Sequence, residues 1–307
     1  MARKSPDWFD AQYNNRARIA EHPAILKHWF DASAAARQRH PGMLEAAYGS
    51  APRERLDVFP PNAPGAPGAP GAPGAPVLVY LHGGYWRALD KRDQSFVAPA
   101  FVDAGALVVL PDYGLCPAVT VEHIVLQTVQ ALVWVYRHAS DHGGDPRRIM
   151  VAGHSAGGHL ATMMLACDWP AVAPDLPADL VGAALSISGI YDLEPLRHAP
   201  FLAADLRLTR ASARRLSPAL MPAPRGPLVT VVGGDESEEF RRQASLIATA
   251  WGPGVVVASE SVAHRHHMNV LHSLFEPDSV THRWALRLLG IASAAKVFSR
   301  ASKGEKA

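Results

Sequence analysis

Residues 153–157 read Gly-His-Ser-Ala-Gly, after the apolar run Ile149-Met150-Val151-Ala152 and before a helix-forming stretch. This is the G-x-S-x-G pattern of a serine held on a sharp strand-to-helix turn, with its hydroxyl lifted clear of the sheet. The backbone is so crowded at such a turn that both flanking positions take glycine. The chemistry it suits is attack on an acyl carbon. Ser155 is the candidate nucleophile, and the N–H of Ala156 points where an oxyanion would form. A second motif supplies further donors. Val77-Leu78-Val79-Tyr80-Leu81 reads as a buried strand that runs into His82-Gly83-Gly84-Tyr85-Trp86. The H-G-G segment begins 73 residues before the serine and offers Gly83 and Gly84 as the other half of an oxyanion hole.

A serine hydroxyl is a poor nucleophile at neutral pH. It needs a base, and the base needs an orienting acid. For a serine on this kind of turn, the acid and then the histidine come later in the chain. The run Leu228–Val232 ends in Gly233-Gly234-Asp235-Glu236-Ser237-Glu238-Glu239. Most of these carboxylates suit the solvated first turn of a helix, where the dipole favours negative charge. Asp235 and Glu236 alone lie close enough to the strand end to serve. A spacing of three from Gly233 favours Glu236, with Asp235 as the fallback. The base is expected after Val255-Val256-Val257, in His264-Arg265-His266-His267-Met268. His267 fits because it immediately precedes the helical segment Met268–Phe275; His266 and His264 are the fallbacks. No carboxylate or cysteine joins this cluster at zinc-ligand spacing, which argues against a metal site. His82 and His154 precede the acid in the chain and are expected to shape their loops by hydrogen bonding.

The elements that must position these groups alternate between strand and helix. Arg55–Phe59 reads as an antiparallel strand. Residues 106–110, 148–152, 181–187, 228–232 and 255–257 read as buried strands, and 119–140, 156–167, 238–251, 267–275 and 280–296 as helices. That alternation argues for an α/β fold with a mostly parallel, doubly wound sheet, whose active site lies at the carboxyl ends of the strands. The 307 residues suit one domain, 1–307. Within it, 7–48 reads as an N-terminal helical cap and 192–221 as a small helical insertion. The Pro-Gly-Ala tract at 62–76 reads as a surface hairpin loop, too short for a collagen-like helix.

A net charge of +2, with scattered Lys and Arg, argues against a nucleic-acid partner. Arg214-Arg215 and Arg241-Arg242 read as solvated helix faces. Cys116 and Cys167 give neither a disulfide framework nor a metal spacing. The polar start of the chain lacks a signal-peptide core, and no run is long enough to span a membrane. A soluble, cytoplasmic protein acting on a small molecule is expected, with no cofactor or metal required. Nothing in the pattern indicates an oligomeric state.

The motifs together resemble the α/β-hydrolase fold and, within it, the kynurenine formamidases (arylformamidases). Gly153 to Ala161 and His82 to Trp86 are similar to that family's elbow and oxyanion segments. Ser188-Gly189-Ile190-Tyr191-Asp192-Leu193-Glu194-Pro195-Leu196, followed by Ser217-Pro218, is more specific to it. Gly233 to Gln243 matches its acid-bearing segment. The resemblance spans about 54–290, puts Glu236 at the acid position and His267 at the base, and implies a role in tryptophan catabolism. Three features depart from the family: glutamate as the acid where animal members have aspartate, Met268 where an aromatic is frequent, and the Pro-Gly-Ala insertion. Related bacterial carboxylesterases share most of these motifs. Hydrolysis of N-formyl arylamines, such as N-formylkynurenine, is therefore carried beside a carboxylesterase reading. A catalytically silent binder is the remote third. Tyr85 and Trp86, beside the oxyanion loop, are expected to line an aromatic substrate pocket.

Overall fold

The computed structural model describes residues 4–62 and 74–291. Its strands are β1 (Met43–Ala47), β2 (Arg55–Phe59), β3 (Ala75–Leu81), β4 (Leu107–Pro111), β5 (Gly144–His154), β6 (Ala183–Ile187), β7 (Leu228–Gly233) and β8 (Val256–Val262). They form one sheet in the order β1-β2-β4-β3-β5-β6-β7-β8. From β4 to β8 all neighbours are parallel, while β1 and β2 form an antiparallel edge. Side chains alternate along the strands, as a pleat requires. Val77, Val79 and Leu81 of β3 enter one core, and Leu78 and Tyr80 enter the other.

Helices cover both faces. They are α1 (Pro6–Tyr13), α2 (Asn15–Arg18), α3 (His22–Arg39), α4 (Ala98–Asp103), α5 (Val121–His138), α6 (Ala156–Leu165), α7 (Trp169–Val172), α8 (Pro200–Leu206), α9 (Arg210–Arg215), α10 (Glu238–Trp251) and α11 (Val280–Leu288). The cores of α5, α6 and α10 pack on one face through Leu132, Leu160 and Ile247. Trp29 of α3, Phe101 of α4 and Leu286 of α11 pack on the other. The expected α/β-hydrolase architecture is therefore present, with a doubly wound sheet.

Two local features differ from what the sequence led one to expect. Residues 43–47 form an edge strand, not helix. Met43 and Leu44 stay exposed, so the strand is held by pairing to β2 rather than by an apolar stripe. The backbone N–H of Glu45 donates to Asp57, and buried Lys91 pairs with both Glu45 and Asp57. The strands before and after the Pro-Gly-Ala tract do not form a hairpin, because β4 lies between β2 and β3. Residues 63–73 of that tract lie outside the described residues, as does the part of the expected 280–296 helix beyond residue 291. Residues 192–221 contain α8 and α9, flanked by short 3-10 turns.

Candidate active site

The serine turn stands where β5 meets α6. Ser155 has φ 57° and ψ −116°, a conformation disfavoured for a side chain at this position. A Cβ at Gly157 would lie 1.9 Å from the Leu81 carbonyl oxygen, and one at Gly153 would lie 2.3 Å from Gly157. The glycines are thus set by close approach of β3 to the turn. The parallel register β3–β5–β6 pairs Leu81 with Gly153 and His154 with Ile187, which brings all three strand ends level.

His267 lies on the loop after β8. Its Nε2 is 3.0 Å from Ser155 Oγ, and its Nδ1 is 2.7 Å from Glu236 Oε2. With Nδ1–H donating to the carboxylate, Nε2 is free to accept the serine proton. The other Glu236 oxygen accepts from the Gly233 N–H at 2.7 Å and from the Ser188 hydroxyl. Glu236, not Asp235, joins this chain: Glu236 is buried, whereas Asp235 is exposed at the loop surface. The fallback bases lie elsewhere. His264 is exposed, and His266 pairs with Glu21 and accepts from the Met268 and Asn269 N–H groups.

Two other histidines hold the frame. Buried His154 donates Nε2–H to the His267 carbonyl at 2.7 Å and stands 4.8 Å from its ring. Burial, and then the neighbouring His267, hold its pKa well below the ordinary value, so it stays neutral. His82 bridges the Asp112 carboxylate and the Gly83 carbonyl, and the Tyr113 ring stacks on it at 4.1 Å. These bonds fix the H-G-G loop against Ser155. A Cβ on Gly83 would meet the His154 carbonyl at 2.7 Å and Ser155 Cβ at 3.4 Å. Among the described residues, the Gly83 and Gly84 N–H groups have no protein acceptor. The N–H of Ala156 opens α6, where helical amides lack a partner.

A cavity of about 350 Å³ opens over the serine and reaches Gly84, Tyr85, His154 and His267. Tyr85 lines it. Trp86 does not; it is fully buried in the core, edge-on to His159 at 5.0 Å. Gly84, Tyr85 and Trp86 all have positive φ, and the two aromatic side chains part: Tyr85 lines the cavity and Trp86 enters the core. The cavity's aromatic wall comes instead from Tyr85, Trp29 and Phe201. Tyr85 and Phe201 meet edge-on at 5.7 Å. The cavity is also lined by Arg87 and Asp205, an ion pair, and by Asn14, Asn15 and Arg16.

The N-terminal segment is tied in by long-range contacts. Tyr85 donates its hydroxyl to the Tyr13 carbonyl at 2.6 Å. The Tyr13 hydroxyl donates to Glu239 at 2.8 Å, and Glu239 also pairs with Arg242. Glu239 and Arg242 are thus part of a partly buried network rather than a solvated face. Arg241 donates to the Glu236 carbonyl and braces the acid loop. The sequence held only a faint signal of this, a tyrosine near an otherwise polar start. Among the described residues there is no cluster of side chains suited to a metal ion, and no helix long and apolar enough to cross a membrane.

The sheet, the serine turn and the histidine and carboxylate at its strand ends define an α/β hydrolase. The family model for the α/β-hydrolase fold matches residues 78–270. Kynurenine formamidase of Salmo salar is 30% identical over 282 residues, covering 89% of this chain and 89% of the relative. Carboxylesterase NlhH of Mycobacterium tuberculosis is 45% identical over 90 residues, covering 29% of this chain and 28% of the relative. A solved structure from Silicibacter sp. tm1040, with a provisional thioesterase name, superposes with a TM-score of 0.76 at 29% identity. It covers 93% of this chain and 99% of its own. The chain belongs to the α/β-hydrolase family, in its kynurenine formamidase- and esterase-like group. It is a serine hydrolase.

Proposed function

We propose that the protein hydrolyses N-formyl arylamines of the N-formylkynurenine type. Ser155 attacks the formyl carbon while His267 Nε2 takes its proton, and Glu236 holds the imidazole in the required tautomer. The N–H groups of Gly83, Gly84 and Ala156 receive the developing oxyanion. Collapse of the tetrahedral species expels the arylamine, protonated by His267, and leaves a formyl-enzyme. Water, activated by the same histidine, then releases formate and restores the serine. An arylamine leaves more readily than an alkylamine, so an ordinary triad suffices. No metal or organic cofactor enters these steps.

The observation that carries this reading is the Ser155–His267–Glu236 hydrogen-bond chain beneath an aromatic-walled cavity. Tyr85, Trp29 and Phe201 offer faces and edges to an aryl leaving group. Likeness to the Salmo salar kynurenine formamidase over most of both chains supports the formamide as substrate. Likeness to carboxylesterase NlhH keeps small acyl esters as the second reading, with the same residue roles. The test is a parallel assay of kcat/KM on N-formylkynurenine and on p-nitrophenyl acetate and butyrate. Values falling steeply from formyl to acetyl to butyryl support the formamidase. Butyrate turned over as fast as the formyl substrate establishes an open acyl pocket and the esterase reading.

A further inference from the structure

Ser188 follows β6 directly and sits in a backbone conformation that glycine would adopt at lower cost. Its φ is 49°, in the left-handed region that favours glycine. The next residue, Gly189, has no room for a side chain: a Cβ there would lie 2.3 Å from Ser186 Oγ and 2.7 Å from the Tyr191 ring. The turn is therefore fixed from both sides, since the Ser188 N–H also donates to the Val231 carbonyl at 2.7 Å. Glycine at 188 would relieve the strain, yet a serine stands there, 2% exposed. Among the described residues, its hydroxyl has one partner, Glu236 Oε1. Strain kept at a single buried polar side chain points toward what that side chain does.

Glutamate has one more rotatable bond than aspartate and more freedom to lose when held in one geometry. Oε1 receives the Gly233 N–H and the Ser188 hydroxyl, while Oε2 faces His267. The two donors come from different strand ends, β7 and β6, so together they fix both the position and the rotation of the carboxylate. We infer that Ser188 is a positioning residue: its hydroxyl locks Glu236 so that Oε2 stays aimed at His267 Nδ1. This rests on the reading of Glu236 as the orienting acid.

The test compares Ser188→Ala, Ser188→Gly and Glu236→Gln with wild type, measuring kcat, KM and thermal midpoint. Both Ser188 variants are expected to lose about tenfold in kcat at unchanged KM, the scale of one hydrogen bond to a charged group. Ser188→Gly should nonetheless melt above Ser188→Ala, because glycine relieves the positive φ. A glycine variant with wild-type kcat would show that only the backbone matters and overturn the inference, as would wild-type kcat in both. A Glu236→Gln enzyme with full activity would sink the acid assignment itself. An inactive Glu236→Gln beside fully active Ser188 variants would sink only the role of Ser188.

Discussion

Ser155, Glu236 and His267 are 3%, 3% and 5% exposed, whereas Asn14 and Arg16, which line the cavity beside them, are half-buried and exposed. The first region sits at the ends of central parallel strands. Its geometry is over-determined by register, by glycines that leave no room, and by His154 and Arg241 bonded to the base and acid loops. The second is assembled from segments far apart in sequence: the N-terminal helices, the H-G-G turn and α8. Its ties are a few hydrogen bonds, chiefly Tyr85 to Tyr13 and Arg87 to Phe201 and Asp205. The contrast separates two demands. On the proposed function, bond-making needs fixed atoms, which the sheet supplies, and substrate choice falls to a wall that can be rebuilt without disturbing the sheet.

Changes in the first region should therefore be drastic in kcat. Ser155→Ala is expected to lower kcat by about 10⁴-fold or more, with the thermal midpoint little changed. His267→Ala should be nearly as inactive, and the double variant no worse, because the two act as a unit. His264→Ala and His266→Ala should keep most activity; loss in His266→Ala alone would move the base by one residue. Glu236→Gln is expected to cost about 10³–10⁴-fold, and Asp235→Asn little. A reversed order for the acids would break the contrast at its centre.

The aromatic pair after Gly84 divides between the packed core, which takes Trp86, and the cavity wall, which takes Tyr85. Trp86→Ala should destabilise by about 3–5 kcal/mol, as loss of a large buried side chain does, read as a lower thermal midpoint. Tyr85→Phe keeps the ring and removes the hydroxyl that anchors the N-terminal segment. A several-fold rise in KM with a smaller change in kcat is expected. If the two phenotypes were exchanged, Trp86 would be the substrate contact after all.

The residues that come together at the candidate site were legible because their signals are local. A glycine-flanked serine between a strand and a helix, a glycine pair at a strand end, and a carboxylate three residues after Gly233 are each short-range patterns with a steric cause. The rest depended on contacts across the chain. Residues 43–47 pair with β2 through backbone bonds that leave little mark on side-chain pattern. Trp86 enters the core at a run of positive φ angles that composition does not disclose. Glu239 reads as one more helix-start charge until Tyr13, more than two hundred residues earlier, is placed against it. The order of β2, β4 and β3 is likewise a matter of topology, and a tract rich in Pro and Gly suits a crossover as well as a hairpin.

A smaller, pH-linked effect tests the buried frame. Burial lowers the His159 pKa to about 4, and it also holds His154 below its ordinary value. Between about pH 6.5 and 4 the unfolded chain takes up protons at these positions that the native protein does not. Stability from this source is thus full above pH 6.5 and is lost as pH falls toward 4, by up to about 1.4 kcal/mol per pH unit per group. The thermal midpoint should fall from pH 7 to pH 5, and His159→Gln should flatten that slope. An unchanged slope in the variant would show that His159 does not remain neutral in the fold.

The most direct test of the division between a fixed reactive centre and an adaptable wall is covalent labelling. A fluorophosphonate, which reacts with a serine only when a base and an oxyanion hole serve it, is added to wild type, His267→Ala and Tyr85→Phe, and the adduct is mapped by mass spectrometry. One adduct is expected, on Ser155, formed rapidly in wild type and in Tyr85→Phe and lost in His267→Ala. An adduct on another serine, or undiminished labelling of Ser155 without His267, would contradict it.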